Sequence, residues 1–218
     1  MFPILYSFRR CPYAIRARYC LAILGVRVKL REVVLKAKPN ALLSLGGSST
    51  VPQLLTQNGE RLPQSLDVIF WSLAQTENHS LAASLWPLQK TAQQKIVSWL
   101  NYNDRFFKYW LDRYKYADRH PDFSEQYYRM RGEVFLARLE ARLSARAFIM
   151  GDQMSLADIC LFPFIRQFAA VDSDWFNASK YEKVKGWLSG FLMSESFSEV
   201  MKKYPAWEEG QEVVYFPR

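Results

Sequence analysis

The 218-residue sequence predicts an α/β domain over residues 1–76, a linker over 77–87 and an all-α helical-bundle domain over 88–218. Three observations carry this reading. The apolar pattern changes from extended to helical at Pro12, strand-like runs recur as far as Leu62, and every apolar pattern beyond residue 88 has helical spacing.

Residues 2–7 are an apolar run that suits a buried strand. Ile15, Tyr19, Ala22 and Ile23 then recur at helical spacing. Pro12 stands near the first helical position, where its missing N–H costs nothing, and Gly25 stands where a helix stops. A second strand is expected over 26–35, because Val26, Val28 and Leu30 alternate with Arg27, Lys29 and Arg31. Strand, helix, strand implies a right-handed parallel crossover. A short helix over 40–45 and the bend GGSST lead to a strand over 51–56, and Asn58-Gly59 is a hairpin signal leading to Arg61 and Leu62. Leu66, Ile69, Phe70 and Leu73 mark a helix with Ser65 expected as its N-cap. TENHSLAASLWP reads as the linker, and helices are expected near 88–117, 122–146, 155–171 and 180–204. The third of these opens on Ser155 and Asp158 in a variant capping box, with Met154 and Ile159 as its hydrophobic staple.

Composition narrows the function classes. Cys11, Cys20 and Cys160 are odd in number and form no C-x-x-C pair, which points to a reducing, cytoplasmic setting rather than a disulfide framework. No apolar run reaches the roughly 20 residues of a membrane span, so neither a membrane helix nor a signal peptide is expected. His79 and His120 are too isolated to suggest a metal site, and no Ser/His/Asp set or phosphate loop is visible. Residues 1–76 hold ten basic and three acidic residues, so this third carries +7 of the net +8. Such a basic region suits either nucleic acid or a small anionic substrate.

Cys11 carries the chemistry. A thiol at a helix start faces unpaired N–H groups and the positive end of the helix dipole, and Arg9 and Arg10 add charge beside it. Each favours thiolate, so Cys11 is the candidate nucleophile; a buried structural cysteine is the alternative. A resolving cysteine three residues on is missing, since Ala14 stands there. Cys20 is about half a turn out of phase and roughly 13 Å away along a helix. Cys160 lies in the apolar DICLFPF and reads as core. Chemistry at Cys11 is therefore monothiol chemistry unless a second thiol arrives from solution.

CPYA after an N-terminal strand, TVPQL about forty residues later, PQSLDVI at the third helix and SLADICLFPF in the helical half together resemble the cytosolic glutathione transferases. The Cys-Pro start resembles their cysteine-type members, the omega class and the glutaredoxin-like bacterial proteins. The resemblance implies a thioredoxin-like N-terminal domain that binds glutathione as co-substrate, and a helical domain that supplies a second-substrate pocket. It implies a cis Val51-Pro52 bond, with Val51 pairing through its backbone with the cysteinyl moiety of glutathione. It places Ser65 on the γ-glutamyl carboxylate, Lys38 near the glycyl carboxylate and Tyr13 over the ligand. Gln64 stands where the family often has glutamate. Trp99, Asn103, Phe106 and Trp110, at spacings of three and four, are candidates for the second pocket, with bundle core as the alternative.

The function expected is glutathione-dependent thiol transfer or reduction through a Cys11–glutathione mixed disulfide. The alternatives are conjugation of glutathione to small electrophiles and a non-catalytic interaction protein. The expected partners are glutathione, a small electrophilic or disulfide substrate and a second copy of the chain in a homodimer. No metal and no membrane are expected, and nucleic acid is disfavoured.

Overall fold

A computed structural model of the chain describes residues 2–218. It divides into two compact units, one of residues 2–82 together with Ser194–Arg218, the other Ala83–Met193.

The first unit is built on a five-stranded sheet in the order β4-β3-β1-β2-β5. Strand β1 (Ile4–Ser7) runs parallel to β2 (Val28–Glu32), with Leu5 opposite Leu30, and helix α1 (Pro12–Ile23) makes the crossover. The expected alternation holds: Val26, Val28 and Leu30 are buried, whereas Arg27 is exposed. The short helix α2 (Asn40–Leu43) precedes β3 (Gln53–Leu55), which pairs antiparallel with both β1 and β4 (Arg61–Leu62). Helix α3 (Ser65–Gln75) packs on α1, where the Ser72 hydroxyl donates to Cys20 Sγ at 3.5 Å and the Thr76 hydroxyl to the Leu24 carbonyl at 2.8 Å.

Two parts of the expected division need correction. The linker over 77–87 is mostly helix α4 (His79–Leu85). The stretch 194–218, assigned above to the helical domain, rejoins the first unit. Its helix α11 (Glu195–Val200) packs on α1, and β5 (Val214–Phe216) pairs antiparallel with β2, so Phe216 stands opposite Val28. Without β5, the outer edge of β2 would present unpaired backbone groups. The Trp207 N–H also donates to the Glu32 carbonyl at 2.8 Å, and the Arg31 guanidinium lies 3.8 Å from the Trp207 ring centroid.

The second unit is helical: α5 (Lys90–Tyr102), a π-helical turn at Asn103–Phe107, α6 (Lys108–Lys115), α7 (Glu125–Ala145), α8 (Leu156–Ala169), α9 (Ser173–Ala178) and α10 (Glu182–Leu192). Its core includes Phe107 stacked on Phe135 at 4.5 Å and Phe162 on Phe191 at 4.5 Å. Gly132 on α7 leaves room for the Phe168 ring of α8, since a Cβ there would lie 2.5 Å from it. None of the helices among the described residues is long and apolar enough to cross a membrane.

Candidate functional site

Cys11 is the N-cap of α1, with extended backbone angles (φ −72°, ψ 123°) and Pro12 following at the first helical position. The Cys11 side chain makes no capping hydrogen bond, and the first turn holds no acidic residue. No acidic side chain of the first turn therefore offsets the positive end of the helix dipole. The thiol is half-buried and donates to the Val51 carbonyl at 3.6 Å. Cys20 and Cys160 are each 0% exposed, so the three thiols differ sharply in access.

Arg16 and Arg18, counted above only as part of a basic region, are 2% and 1% exposed. Arg18 donates from Nη2 to the Arg9 carbonyl at 2.8 Å and from Nη1 to the Ser7 hydroxyl, while Glu32 accepts the Arg9 N–H at 2.7 Å. The segment leading to Cys11 is thus held through both backbone groups of Arg9. Burial lowers the Arg18 pKa to about 10, opposed chiefly by attraction to the Glu32 carboxylate. Burial likewise raises the Glu32 carboxyl, against the Arg9 N–H and the nearby Arg18 charge. The sequence did carry a signal: both arginines lie among Ala14, Ile15, Ala17, Tyr19, Cys20 and Leu21, on a helix that is apolar nearly all round.

At the start of α3 the expected N-cap shifts by one residue. Gln64 is the cap, and its N–H is taken by Asp67 Oδ2 at 3.0 Å. Ser65, the first helical residue, is 3% exposed, and its Oγ accepts from Arg16 Nε at 2.9 Å. The serine is free of capping duty because the Gln64–Asp67 pair performs it. The Arg16 guanidinium also lies 4.8 Å from the Tyr13 ring centroid, so one buried cation joins two of the candidate glutathione residues.

Val51-Pro52 is cis, as expected. The bend before it is braced by Gln53, which is 0% exposed, donates to the Ser48 and Thr50 carbonyls at 2.6 and 2.7 Å and accepts from Arg61 Nε at 2.8 Å. A Cβ at Gly47, whose φ is +59°, would lie 2.7 Å from Arg61 Nη1, so GGSST supplies a residue small enough for this brace. Lys38 donates to Ser49 Oγ at 3.0 Å on the same bend.

The second-pocket candidates separate. Trp99 and Asn103 are 9% and 0% exposed, and Trp99 packs edge-on to Phe135 at 5.9 Å. Phe106 and Trp110 are half-buried, with Phe106 stacked on Tyr102 at 4.9 Å. The π-turn explains the split. Its extra residue rotates the following helix by about 100° relative to an unbroken α-helix, so Phe107, Leu111 and Tyr114 take the core face. Asn103 donates to Asp104 at 2.7 Å, while its buried Oδ1 has no partner among the described residues. Among those residues there is also no cluster of histidine, cysteine or carboxylate side chains suited to a metal ion.

A mixed sheet with a thiol at its first helix and an all-helical second half define the class, and comparison with known proteins agrees. Residues 5–80 match the family described as glutathione S-transferase, N-terminal domain, and residues 133–190 match glutathione S-transferase, C-terminal domain. The chain belongs to the glutathione transferase family of enzymes. A curated relative, "Probable glutathione S-transferase MSR-1" of Nicotiana plumbaginifolia, is 24% identical over 170 residues, covering 78% of this chain and 75% of the relative. Solved structures with the same fold include a glutathione transferase family member from Pseudomonas fluorescens with two glutathione bound, at TM-score 0.75 and 17% identity over 92% of each chain. Another is a Methylobacillus flagellatus glutathione S-transferase with glutathione bound, at TM-score 0.76 and 21% identity, covering 91% of this chain and 98% of that one.

Proposed function

We propose that the protein is a cysteine-type glutathione transferase that works as a glutathione-dependent thiol transferase. The observation that carries this reading is the Cys11 thiol, half-buried at a helix start with no acidic residue in its first turn and 3.6 Å from the Val51 carbonyl, while both other thiols are sealed. The two glutathione-bound neighbours support glutathione as its co-substrate. Ser65 takes the γ-glutamyl carboxylate, the Val51 backbone pairs with the cysteinyl unit, and Lys38 approaches the glycyl carboxylate. Gln64 offers a neutral amide to the γ-glutamyl amine, and Tyr13 packs against the ligand. The half-exposed Phe106 and Trp110 offer an aromatic surface to the second substrate; Trp99 and Asn103 act from behind it as support. A homodimer in the cytoplasm is the assembly and location this reading favours.

In the reaction, the Cys11 thiolate attacks the glutathionyl sulfur of a disulfide. A Cys11–glutathione bond forms as the old S–S bond breaks, and the other thiol leaves with its electron pair. A second glutathione, as thiolate, attacks the glutathionyl sulfur now on Cys11, giving oxidised glutathione and restoring the Cys11 thiolate. With no second accessible protein thiol, the intermediate waits for that glutathione.

Conjugation is the second reading, favoured by the transferase name of the curated relative. There the protein activates bound glutathione to attack an electrophile. Parallel assays of thiol transfer and aryl-halide conjugation on wild type and Cys11→Ser separate the two. Thiol transfer lost in Cys11→Ser supports the proposal. Conjugation that exceeds thiol transfer in wild type and survives Cys11→Ser overturns it.

A further inference from the structure

Resting on the reading of Ser65 as the γ-glutamyl carboxylate site, we propose that Arg16 is the positioning residue that sets selectivity for that carboxylate. A guanidinium N–H can only donate. Its bond to Ser65 Oγ at 2.9 Å therefore occupies a lone pair of the hydroxyl and leaves the hydroxyl's own proton to be donated elsewhere. A carboxylate accepts and never donates when ionised, so it complements this arrangement. The bond also polarises the Ser65 O–H and brings a buried positive charge behind it, and both effects strengthen a hydrogen bond to an anion.

Two further contacts fix the geometry. The guanidinium lies 4.8 Å from the Tyr13 ring centroid, and Gln64 and Asp67 cap α3 themselves, which spares Ser65 from accepting a helix N–H. Arg16 stands five residues after Cys11 on α1 and reaches across to the start of α3, so the helix that presents the thiol also orients the anion-binding hydroxyl. Ligands with a free carboxylate at their γ-glutamyl end are selected, and a ligand lacking only that group loses the advantage.

The test compares binding of glutathione and of 4-aminobutyryl-cysteinylglycine, which differs from it only by that carboxylate, in wild type, Arg16→Met, Arg16→Lys, Ser65→Ala and the Arg16→Met/Ser65→Ala double variant. The affinity ratio of the two ligands is internal to each preparation, so partial unfolding leaves it unchanged. Wild type should prefer glutathione by about tenfold or more. Arg16→Met and Ser65→Ala should each bring the ratio close to one, and the double variant should go no further. Arg16→Lys, which keeps the charge without the fixed fork, should fall between and decides the matter if Arg16→Met does not fold. A wild-type ratio in both Arg16 variants, with the ratio lost in Ser65→Ala, overturns the inference and leaves the glutathione reading standing. A wild-type ratio in Ser65→Ala as well removes the anion site itself. Penalties that add in the double variant show that Arg16 does not act through Ser65, and also overturn it.

Discussion

The starts of α8 and α1 present the same unsatisfied backbone N–H groups, and the chain treats them in opposite ways. At α8 the Asp158 carboxylate, 0% exposed, accepts from the N–H groups of Ser155 and Ile149 at 2.9 Å each, from the Ser155 hydroxyl at 2.7 Å and from Trp187 Nε1 at 3.0 Å. That site is complete without any ligand. At α1 the cap is a cysteine whose side chain makes no capping bond, and the first turn has no carboxylate. A helix start supplied with its own anion is a structural joint, whereas one with no carboxylate in its first turn and a thiol at its cap suits the reactive role proposed above for Cys11.

Stability should divide along this line. Asp158→Ala leaves three buried N–H donors without an acceptor and should cost about 3 kcal/mol or more. Ser155→Ala, which keeps Asp158 and its other bonds, should cost about 1 kcal/mol. Cys11→Ser should stay within about 0.5 kcal/mol of wild type. Denaturant midpoints measure all three, and a Cys11→Ser loss comparable with that of Asp158→Ala would break the comparison.

Binding should divide the other way. Ser65→Ala should weaken glutathione by about 1–3 kcal/mol in titration calorimetry, because an ionised carboxylate loses a donor. The folded fraction of Ser155→Ala should bind glutathione as wild type does. Equal affinity in wild type and Ser65→Ala would mean that the carboxylate is held elsewhere.

The smallest expected effect is in pH dependence. Burial raises the Asp158 carboxyl above its ordinary value of 3.8, against the pull of its Ile149, Ser155 and Trp187 donors. The native state therefore keeps a proton that the unfolded chain has already lost, and this contribution to stability falls as pH rises from 3.8 through the raised value. The stability gap between wild type and Asp158→Asn should narrow across that window and stay level above it. A gap that widens with pH would reverse the sign assigned to Asp158.

What could be read from the sequence was local. The Cys-Pro start, the alternation at Val28 and Leu30 and the Ser155–Asp158 pair each announce themselves within a few residues. Arg16 and Arg18 showed locally only as two cations on an otherwise apolar helix; what they bond did not show, because partners such as Ser65 lie as far as 49 residues away. The strand β5 escaped for the same reason: three residues at Val214–Phe216 become a strand only by pairing with β2. Helix α4 was hidden by the polar TENHS that opens the presumed linker, although LAASL following it is strongly helix-forming. The stripe from Trp99 to Trp110 divides between core and surface because helical spacing presumes an unbroken α-helix, and the π-turn at Asn103–Phe107 breaks it.

The central claim is that Cys11 alone carries glutathione through a mixed disulfide, and peptide mapping after incubation with oxidised glutathione tests it most directly. One glutathionyl group should appear on the peptide containing Cys11, and reduced glutathione should remove it. Cys20 and Cys160, at 0% exposure, should stay unmodified in the native protein. An adduct chiefly on Cys20 or Cys160, or an internal disulfide in place of the adduct, would contradict the account.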